Sequence, residues 1–210
     1  HGGKDPGAVG SGGRREKDIA LSIGRALARE LGRREGLEVR LTRDRDQLIP
    51  IWERGHLATE WKRDRPAIFI SIHANSLPDR SSVRGFETYF LSEARTEHEA
   101  RVAENENAPL ALRDTDTAEE EVAPGLDFIL RELRNRDHQR WSSVLAEEVQ
   151  RSMEAVHPGP NRGVKQAPFA VITNALMPAV LIEVGFLSNP NEERVLSRGE
   201  FQRDIARSIA

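Results

Sequence analysis

Four residues of the chain combine the side-chain types that metal-dependent hydrolysis requires. His1, Glu16 and His73 offer nitrogen and oxygen donors of the kind that zinc takes in proteins, and Glu183 is a carboxylate within an apolar run. They lie in the local sequences HGGKDPG, REKD, SIHAN and LIEVGF. If loops at one edge of a single sheet bring these segments together, they form a metal site.

The chemistry of such a site follows from its ligand count. A catalytic zinc ion keeps three protein ligands and one open position, and two histidines with one glutamate are a known set for peptide-bond hydrolysis. The ion lowers the pKa of a water molecule and polarises the scissile carbonyl, so amide hydrolysis needs no covalent intermediate. A nearby carboxylate must move the proton, and Glu183 is the candidate for this general base.

Each residue also has a structural interpretation. A histidine at the end of a strand is more often a hydrogen-bonded structural residue than a ligand, and Glu16 would be favourable simply as a charge at a helix start. Burying Glu183 among apolar residues is costly unless it has a partner or opens into a site, so an ion pair with an arginine is its alternative. Glu87 faces either the site or solvent. The sequence contexts predict solvated side chains for His56, His98, His138 and His157.

The composition excludes several classes of protein. A chain of 210 residues with 38% hydrophobic content is the size of one domain. A net charge of -3 provides no cationic field, so we expect no nucleic-acid partner. No apolar stretch approaches the roughly 18 residues of a membrane span. Without cysteine, only His, Asp and Glu remain as strong metal ligands. We expect a monomer.

Helical and strand patterns alternate along the chain. Apolar spacing predicts helices over residues 18–31, 52–62, 125–133 and 141–153 and a closing helical segment with Ser188 or Asn189 as its cap. Strand patterns cover 37–43, 67–75, 85–91, 163–173 and 179–186. This alternation predicts a single-domain α/β fold, with a mainly parallel twisted sheet flanked by helices on both faces. His73 lies at a strand end, where such sheets place their functional crevice.

The motifs together resemble one known family. HGGKDPGAVG, REKD, FISIHAN, RGFETYFLS and PAVLIEVGFLSNPNEE are similar to the zinc-dependent N-acetylmuramoyl-L-alanine amidases of family 3, which are bacterial cell-wall enzymes. The resemblance spans nearly the whole chain. It implies hydrolysis of the amide between the lactyl group of N-acetylmuramic acid and the first L-alanine of the peptidoglycan stem peptide. Because peptidoglycan lies outside the cytoplasmic membrane, it also implies export to the periplasm or cell envelope.

The resemblance assigns roles to the four residues. It implies that His1, Glu16 and His73 bind one Zn²⁺ ion and that Glu183 is the general base. Asn75 and the glycines of the first loop would shape the site. It treats residues 1–210 as an amidase catalytic domain, from which the family's strand before His1 is missing.

The acidic segment at residues 93–121 leads to a further expectation. It holds ten acidic and three basic residues. Some exported amidases of the family that the chain resembles are self-inhibited by an inserted helix, which fills the zinc site until an activator protein withdraws it. The resemblance therefore predicts a regulatory insertion over about residues 93–136, in which a carboxylate from 105–136 fills the open position, with Glu119, Glu120 and Glu121 ahead of the helix. A solvated acidic loop is the alternative.

Two other functions remain open at this point. A zinc peptidase that trims peptidoglycan stem peptides would use the same ligands, and product analysis separates it from an amidase. A non-catalytic peptidoglycan-binding domain is the alternative outside the enzymes. The presence of Glu183 beside three candidate ligands argues against the latter.

Overall fold

The computed structural model describes residues 1–108 and 126–210, and within residues 126–137 only the helical backbone. The described residues contain four strands, β1 (Phe69–Asn75), β2 (Phe86–Leu91), β3 (Asn161–Ala167) and β4 (Ala179–Phe186). They form one sheet in the order β1-β4-β2-β3. The β1–β4 and β2–β3 pairs are parallel and the β2–β4 pair is antiparallel, which confirms the prediction of a mainly parallel sheet.

Helices cover both faces of this sheet, as predicted. In chain order they are α1 (Glu16–Leu31), α2 (Ile51–Lys62), α3 (Glu97–Asn107), α4 (Leu126–Glu154), α5 (Ala170–Thr173), α6 (Pro190–Leu196) and α7 (Gly199–Ile209). Asn189 caps α6 by accepting hydrogen bonds from the first turn of the helix. Among the described residues, no helix is both long and apolar enough to cross a bilayer.

Strand β4 divides the core into two parts, because its side chains alternate between the faces of the sheet. Val180, Ile182 and Val184 pack with apolar residues of α1, α4 and α7. Leu181 instead belongs to the cluster that includes residues of α3 and α5. By the same alternation, Glu183 projects from the face that α3 and α5 cover.

The prediction of a strand over residues 37–43 is wrong. Residues 37–43 form neither strand nor helix, and Leu37 is 52% exposed. Alternating apolar and polar residues suit a strand only where a neighbouring strand supplies hydrogen bonds, and no described strand pairs with this segment.

Two further boundaries differ from the predictions. The strand predicted over 163–173 is β3, which ends at Ala167, and α5 follows after Pro168 and Phe169. Proline cannot donate a ladder hydrogen bond, so it ends the strand. The helices predicted over 125–133 and 141–153 are one helix, α4, from Leu126 onward, and residue 125 lies outside the described residues.

The prediction of a solvated His157 is also wrong. Its Nε2–H donates to the carbonyl of Val184 at 3.0 Å, and its Nδ1 accepts from Gly159 N–H at 2.9 Å. The ring is 8% exposed and lies 4.7 Å from the Phe86 ring, centroid to centroid. Burial lowers the pKa of His157, so the folded state holds a neutral ring at pH values where the unfolded chain is protonated.

His157 should therefore make the folded state less stable in acid. As pH falls below about 6.5, the unfolded chain takes up a proton that folded His157 refuses, and up to about 1.4 kcal/mol of stability is lost per pH unit. We expect His157→Gln to reduce the slope of unfolding free energy against pH between pH 7 and 5, as measured by urea titration. Equal slopes in the two proteins would contradict this, whatever their absolute stabilities.

Candidate metal centre

The glycine-rich first loop folds tightly around two of the candidate ligands. Gly7 has a φ of 65°, and a Cβ added there would lie 2.5 Å from Glu16 Oε2 and 2.6 Å from His1 Cδ2. A side chain at this position would displace one of the two groups. Glycine is therefore required both for the backbone conformation and for the close approach.

A glutamate from α6 fixes the far side of the same loop. Glu193 accepts hydrogen bonds from the backbone N–H groups of Gly12 (3.0 and 2.9 Å) and Arg14 (3.1 Å). A Cβ on Gly10 would lie 2.3 Å from the Glu193 carboxyl carbon. The NPNEE segment thus holds the loop that leads into α1 and Glu16.

His1 is oriented by a carboxylate behind it. Its Nδ1 lies 2.7 Å from Asp5 Oδ2, while Asp5 Oδ1 accepts from Gly7 N–H at 3.0 Å. With Nδ1–H donating to Asp5, the lone pair of Nε2 points to the other side, where Glu16 Oε2 lies 3.2 Å away. This is the arrangement that fixes the tautomer of a metal-binding histidine.

Glu16 is the first residue of α1 and is fully buried. Its Oε1 lies 2.9 Å from His73 Nδ1 and accepts from Ala74 N–H at 3.0 Å, and its Oε2 accepts from Ala8 N–H at 2.8 Å. Burial would raise the pKa of Glu16, but the adjacent His1 and His73 rings outweigh it and lower that pKa. Glu16 is therefore ionised and held at both oxygens.

His73 faces the same point from β1. Its Nε2 lies 3.1 Å from Ser71 Oγ, which leaves Nδ1 directed at Glu16. Burial lowers the pKa of His73, but the carboxylates of Glu106 and Glu16 outweigh this and raise it to about 9. The ring centroids of His1 and His73 are 5.2 Å apart.

A fourth group, which the residue types alone did not identify, completes the cluster. Glu106 of α3 places Oε2 2.6 Å from His73 Nδ1 and 3.1 Å from His1 Nε2. One ligand atom each from His1, Glu16, His73 and Glu106 lie within 4.8 Å of one another. Glu106 falls within the segment 105–136 expected to supply such a carboxylate, whereas residues 119–121 lie outside the described residues.

The helical phase of α3 carried a signal for Glu106. The buried residues of this helix are Glu99, Val102, Ala103 and Glu106, a spacing of i, i+3, i+4 and i+7. Two glutamates therefore share the apolar face of an amphipathic helix. Glu99 is used locally in a capping box with Thr96, so Glu106 is the one whose burial requires a partner elsewhere.

The donor set fits a divalent metal ion. Two imidazole nitrogens and two carboxylates converge on one point, and in the absence of a cation this arrangement favours protonated histidines, as the raised pKa of His73 indicates. Imidazole and carboxylate are ligands that zinc accepts, and no thiolate is available to make a four-cysteine structural site.

Glu183 lies beside this cluster without a partner. It is opposite His73 in the parallel register, is fully buried, and neither carboxylate oxygen has a hydrogen-bond partner among the described residues. Burial, followed by the charges of Glu106, Glu16 and Glu87, raises its pKa well above the ordinary value. The alternative of an ion pair with an arginine is wrong for the described residues.

Glu87 points into the same face of the sheet, which answers the question that the sequence left open. It is opposite Glu183 in the antiparallel register and is fully buried. Its carboxylate contacts Arg162 Nε at 2.5 Å, the Tyr89 hydroxyl at 2.5 Å and His98 Nε2 at 2.8 Å. The prediction of a solvated His98 is therefore wrong, since its side chain is only 20% exposed.

Comparison with known proteins gives a consistent result. The family described as N-acetylmuramoyl-L-alanine amidase matches residues 1–210. The chain is 31% identical over 212 residues to N-acetylmuramoyl-L-alanine amidase AmiA of Escherichia coli strain K12, covering 100% of this chain and 71% of that protein. It is 34% identical over 213 residues to AmiC of Neisseria meningitidis serogroup B, covering 100% and 49%.

Two solved structures support the same relationship. The N-acetylmuramoyl-L-alanine amidase from Clostridium difficile 630 superposes with a TM-score of 0.73 at 26% identity, covering 100% of this chain and 88% of that chain. The catalytic domain of CwlV from Bacillus (Paenibacillus) polymyxa gives a TM-score of 0.71 at 29% identity, covering 100% and 89%.

Proposed function

Because the chain belongs to the N-acetylmuramoyl-L-alanine amidase family, we infer that it hydrolyses the amide bond between N-acetylmuramic acid and L-alanine in peptidoglycan. One observation carries this inference. A cluster of four side chains that could hold a metal ion lies next to a buried carboxylate that has no partner among the described residues. That combination supplies a metal and a proton carrier at one point, as amide hydrolysis requires.

We assign His1, Glu16 and His73 as the ligands of one zinc ion. Support comes from the nitrogen and oxygen donors that face one another, and from Asp5 and Ser71, which occupy the second nitrogen of each histidine ring. When bound, zinc supplies Lewis-acid chemistry by polarising the amide carbonyl and making water more acidic.

Glu183 is the proposed general base. Hydrolysis of an amide requires a proton to leave the attacking water and a proton to reach the departing nitrogen, and one carboxylate can do both in turn. The raised pKa of Glu183 favours a carboxyl that holds its proton once it has accepted it. Asn75 is proposed to support the site, because its buried Nδ2 has no hydrogen-bond partner among the described residues.

Digestion of purified peptidoglycan tests the proposed reaction. We expect mass spectrometry to detect intact stem peptides that begin with L-alanine, and glycan strands whose N-acetylmuramic acid residues carry free lactyl carboxylates. Peptides cleaved within the stem would instead identify the zinc peptidase. Binding to peptidoglycan without any released peptide would identify the non-catalytic domain.

We further propose that α3 inhibits the enzyme as part of a regulatory insertion over about residues 93–136. Glu106 contacts both His1 and His73, and its charge is one of those that raise the pKa of Glu183. A substrate carbonyl would need the same place. An activator protein that withdraws α3 would open it, and because the substrate lies outside the cytoplasmic membrane, we place the enzyme in the periplasm or cell envelope.

Asp5 gives a test of the metal site that does not depend on turnover. We expect Asp5→Asn to weaken zinc binding by about 10- to 100-fold, since it removes the carboxylate that orients the His1 ring. Competitive titration with a chelator measures the affinity, and Asp44→Asn, an exposed aspartate of the next loop, is the matched control. If Asp5→Asn binds zinc as tightly as the wild type, the orientation of His1 by Asp5 is not required.

A further inference from the structure

Four polar residues form a row across the whole sheet, on the face that α3 covers. His73 of β1 is opposite Glu183 of β4, and Glu183 is opposite Glu87 of β2. Beyond Glu87, Arg162 of β3 makes the 2.5 Å contact that ends the row. Neighbouring strands lie about 4.8 Å apart, so the row spans about 14 Å from the metal cluster to β3.

Helix α3 lies along this row and contacts it at two points. Glu106 contacts His73 at the first position of the row, and His98 contacts Glu87 at the third. The two α3 residues are eight positions apart, which corresponds to about 12 Å along a helix axis. The polar row thus continues well beyond the metal cluster, and α3 lies over most of its length.

Arg162 is fixed at the outer end of the row. Glu87 accepts a hydrogen bond from its Nε, and the guanidinium carbon lies 5.4 Å from the centroid of the buried Phe186 ring. The register between β2 and β3 shifts beside it, at Gly163, whose φ is 82°. Such an irregularity redirects a side chain near a functional site.

The terminal nitrogens of Arg162 remain available. No described residue accepts a hydrogen bond from either of them, and 30% of the side chain is exposed even with α3 in place. A guanidinium held through Nε presents its other N–H groups as a fork that matches a carboxylate. Glu87 compensates part of the positive charge of Arg162, and its contact with Nε sets the direction in which the two terminal nitrogens point.

We propose that Arg162 is the carboxylate-binding subsite of the substrate groove and that Glu87 is its positioning residue. This inference rests on the proposed function. On the muramyl side, the lactyl carboxyl is consumed in the scissile amide, so free carboxylates of the substrate lie on the peptide side. The peptide therefore runs from the metal cluster along the row towards β3, and a carboxylate beyond the L-alanine reaches Arg162.

Two synthetic substrates test this subsite. Both are N-acetylmuramoyl peptides, and they differ only in whether the residue after L-alanine carries a free or an amidated carboxylate. We expect kcat/KM to favour the free carboxylate by about tenfold to a hundredfold, as expected for a charge-assisted hydrogen-bonded pair, with the difference mainly in KM. In Arg162→Gln this ratio should fall to about one, as expected once the pair is lost.

Arg162→Lys and Arg151→Gln complete the set. Lysine keeps the charge without the planar fork, so its ratio should be intermediate, and it also carries the test if Arg162→Gln does not fold. Arg151 is an exposed arginine on α4, on the opposite face of the sheet, and its variant should keep the wild-type ratio. A wild-type ratio near one, or a ratio that neither Arg162 variant changes, would overturn the proposal.

The substrates also separate this inference from the function on which it rests. Cleavage of both substrates at equal rates overturns the subsite and leaves the amidase activity in place. If neither is cleaved, by the wild type or by Glu106→Ala, the proposed function fails. In that case the subsite is tested by equilibrium binding of the two peptide products to the wild type and to Arg162→Gln. The ratio of their dissociation constants then replaces the ratio of kcat/KM values.

Discussion

Replacing Glu183 by glutamine should lower kcat for amide hydrolysis by about 100- to 10,000-fold, which is the usual contribution of a positioned general acid or base. Glutamine has nearly the same size and shape but cannot accept the proton of the attacking water. Because Glu183 is not one of the four clustered side chains and has no hydrogen-bond partner among the described residues, the metal content should be unchanged. The measurement is single-substrate kinetics combined with elemental analysis of the same sample.

Stability provides a second observable for the same variant. A buried carboxylate without a partner is costly, as its raised pKa shows, so Glu183→Gln should not destabilise the protein in thermal or urea unfolding. Glu147→Gln, an exposed glutamate on α4, is the matched control for the loss of one charge. A Glu183→Gln protein with kcat within threefold of wild type would exclude Glu183 as the proton carrier.

Glu106→Ala should have the opposite effect and increase the rate of peptidoglycan hydrolysis by about tenfold to a hundredfold. This factor corresponds to the free energy of one hydrogen bond to a charged group. The variant removes the carboxylate of α3 that contacts His1 and His73. It also relieves one of the charges that raise the pKa of Glu183. Rates of peptide release are compared at equal metal content, because Glu106 itself is close enough to act as a ligand.

Glu104→Ala is the control for this prediction. Glu104 lies on the same helix but is exposed, so its replacement changes the charge of α3 without touching the metal cluster. We expect its activity to match the wild type. If Glu106→Ala retains its zinc and is no more active than Glu104→Ala, then α3 is not inhibitory and the contact of Glu106 with the cluster has another role.

The parts of the fold that depend on local pattern were predictable. The run from Ala179 to Phe186 is apolar enough that its strand bounds agree with the structure, and α1 begins within two residues of the predicted start. The segment 37–43 has an equally good alternation, but no strand of the described ranges lies beside it. Whether a neighbour exists is a property of the tertiary structure, and the local sequence does not contain it.

The residues of the candidate site differ in how well the sequence alone predicts them. His1, Glu16, His73 and Glu183 stand out by type and context, and the structure brings their side chains together, although their roles remain predictions. Glu106 was hidden in an acidic segment because charge runs usually face water, and only the helical phase distinguishes it.

Arg162 could not be recognised from its own neighbourhood. It precedes a glycine at the start of a half-exposed strand, one of many arginines in the chain, and nothing local marks it. Its significance comes from Glu87, 75 positions away, and from the strand order that places β2 between β3 and β4. Such relations follow from the order of strands in the sheet. A single sequence predicts that order less well than it predicts individual helices and strands.

The most direct test of the central claim is an anomalous diffraction measurement on both sides of the zinc absorption edge, from crystals of the protein grown with zinc. We predict one anomalous peak at about 2.0–2.2 Å from His1 Nε2, His73 Nδ1 and a Glu16 oxygen, the usual range for zinc–nitrogen and zinc–oxygen bonds. A peak elsewhere in the molecule, or no peak between these three side chains, would contradict the assignment of this cluster as the metal centre.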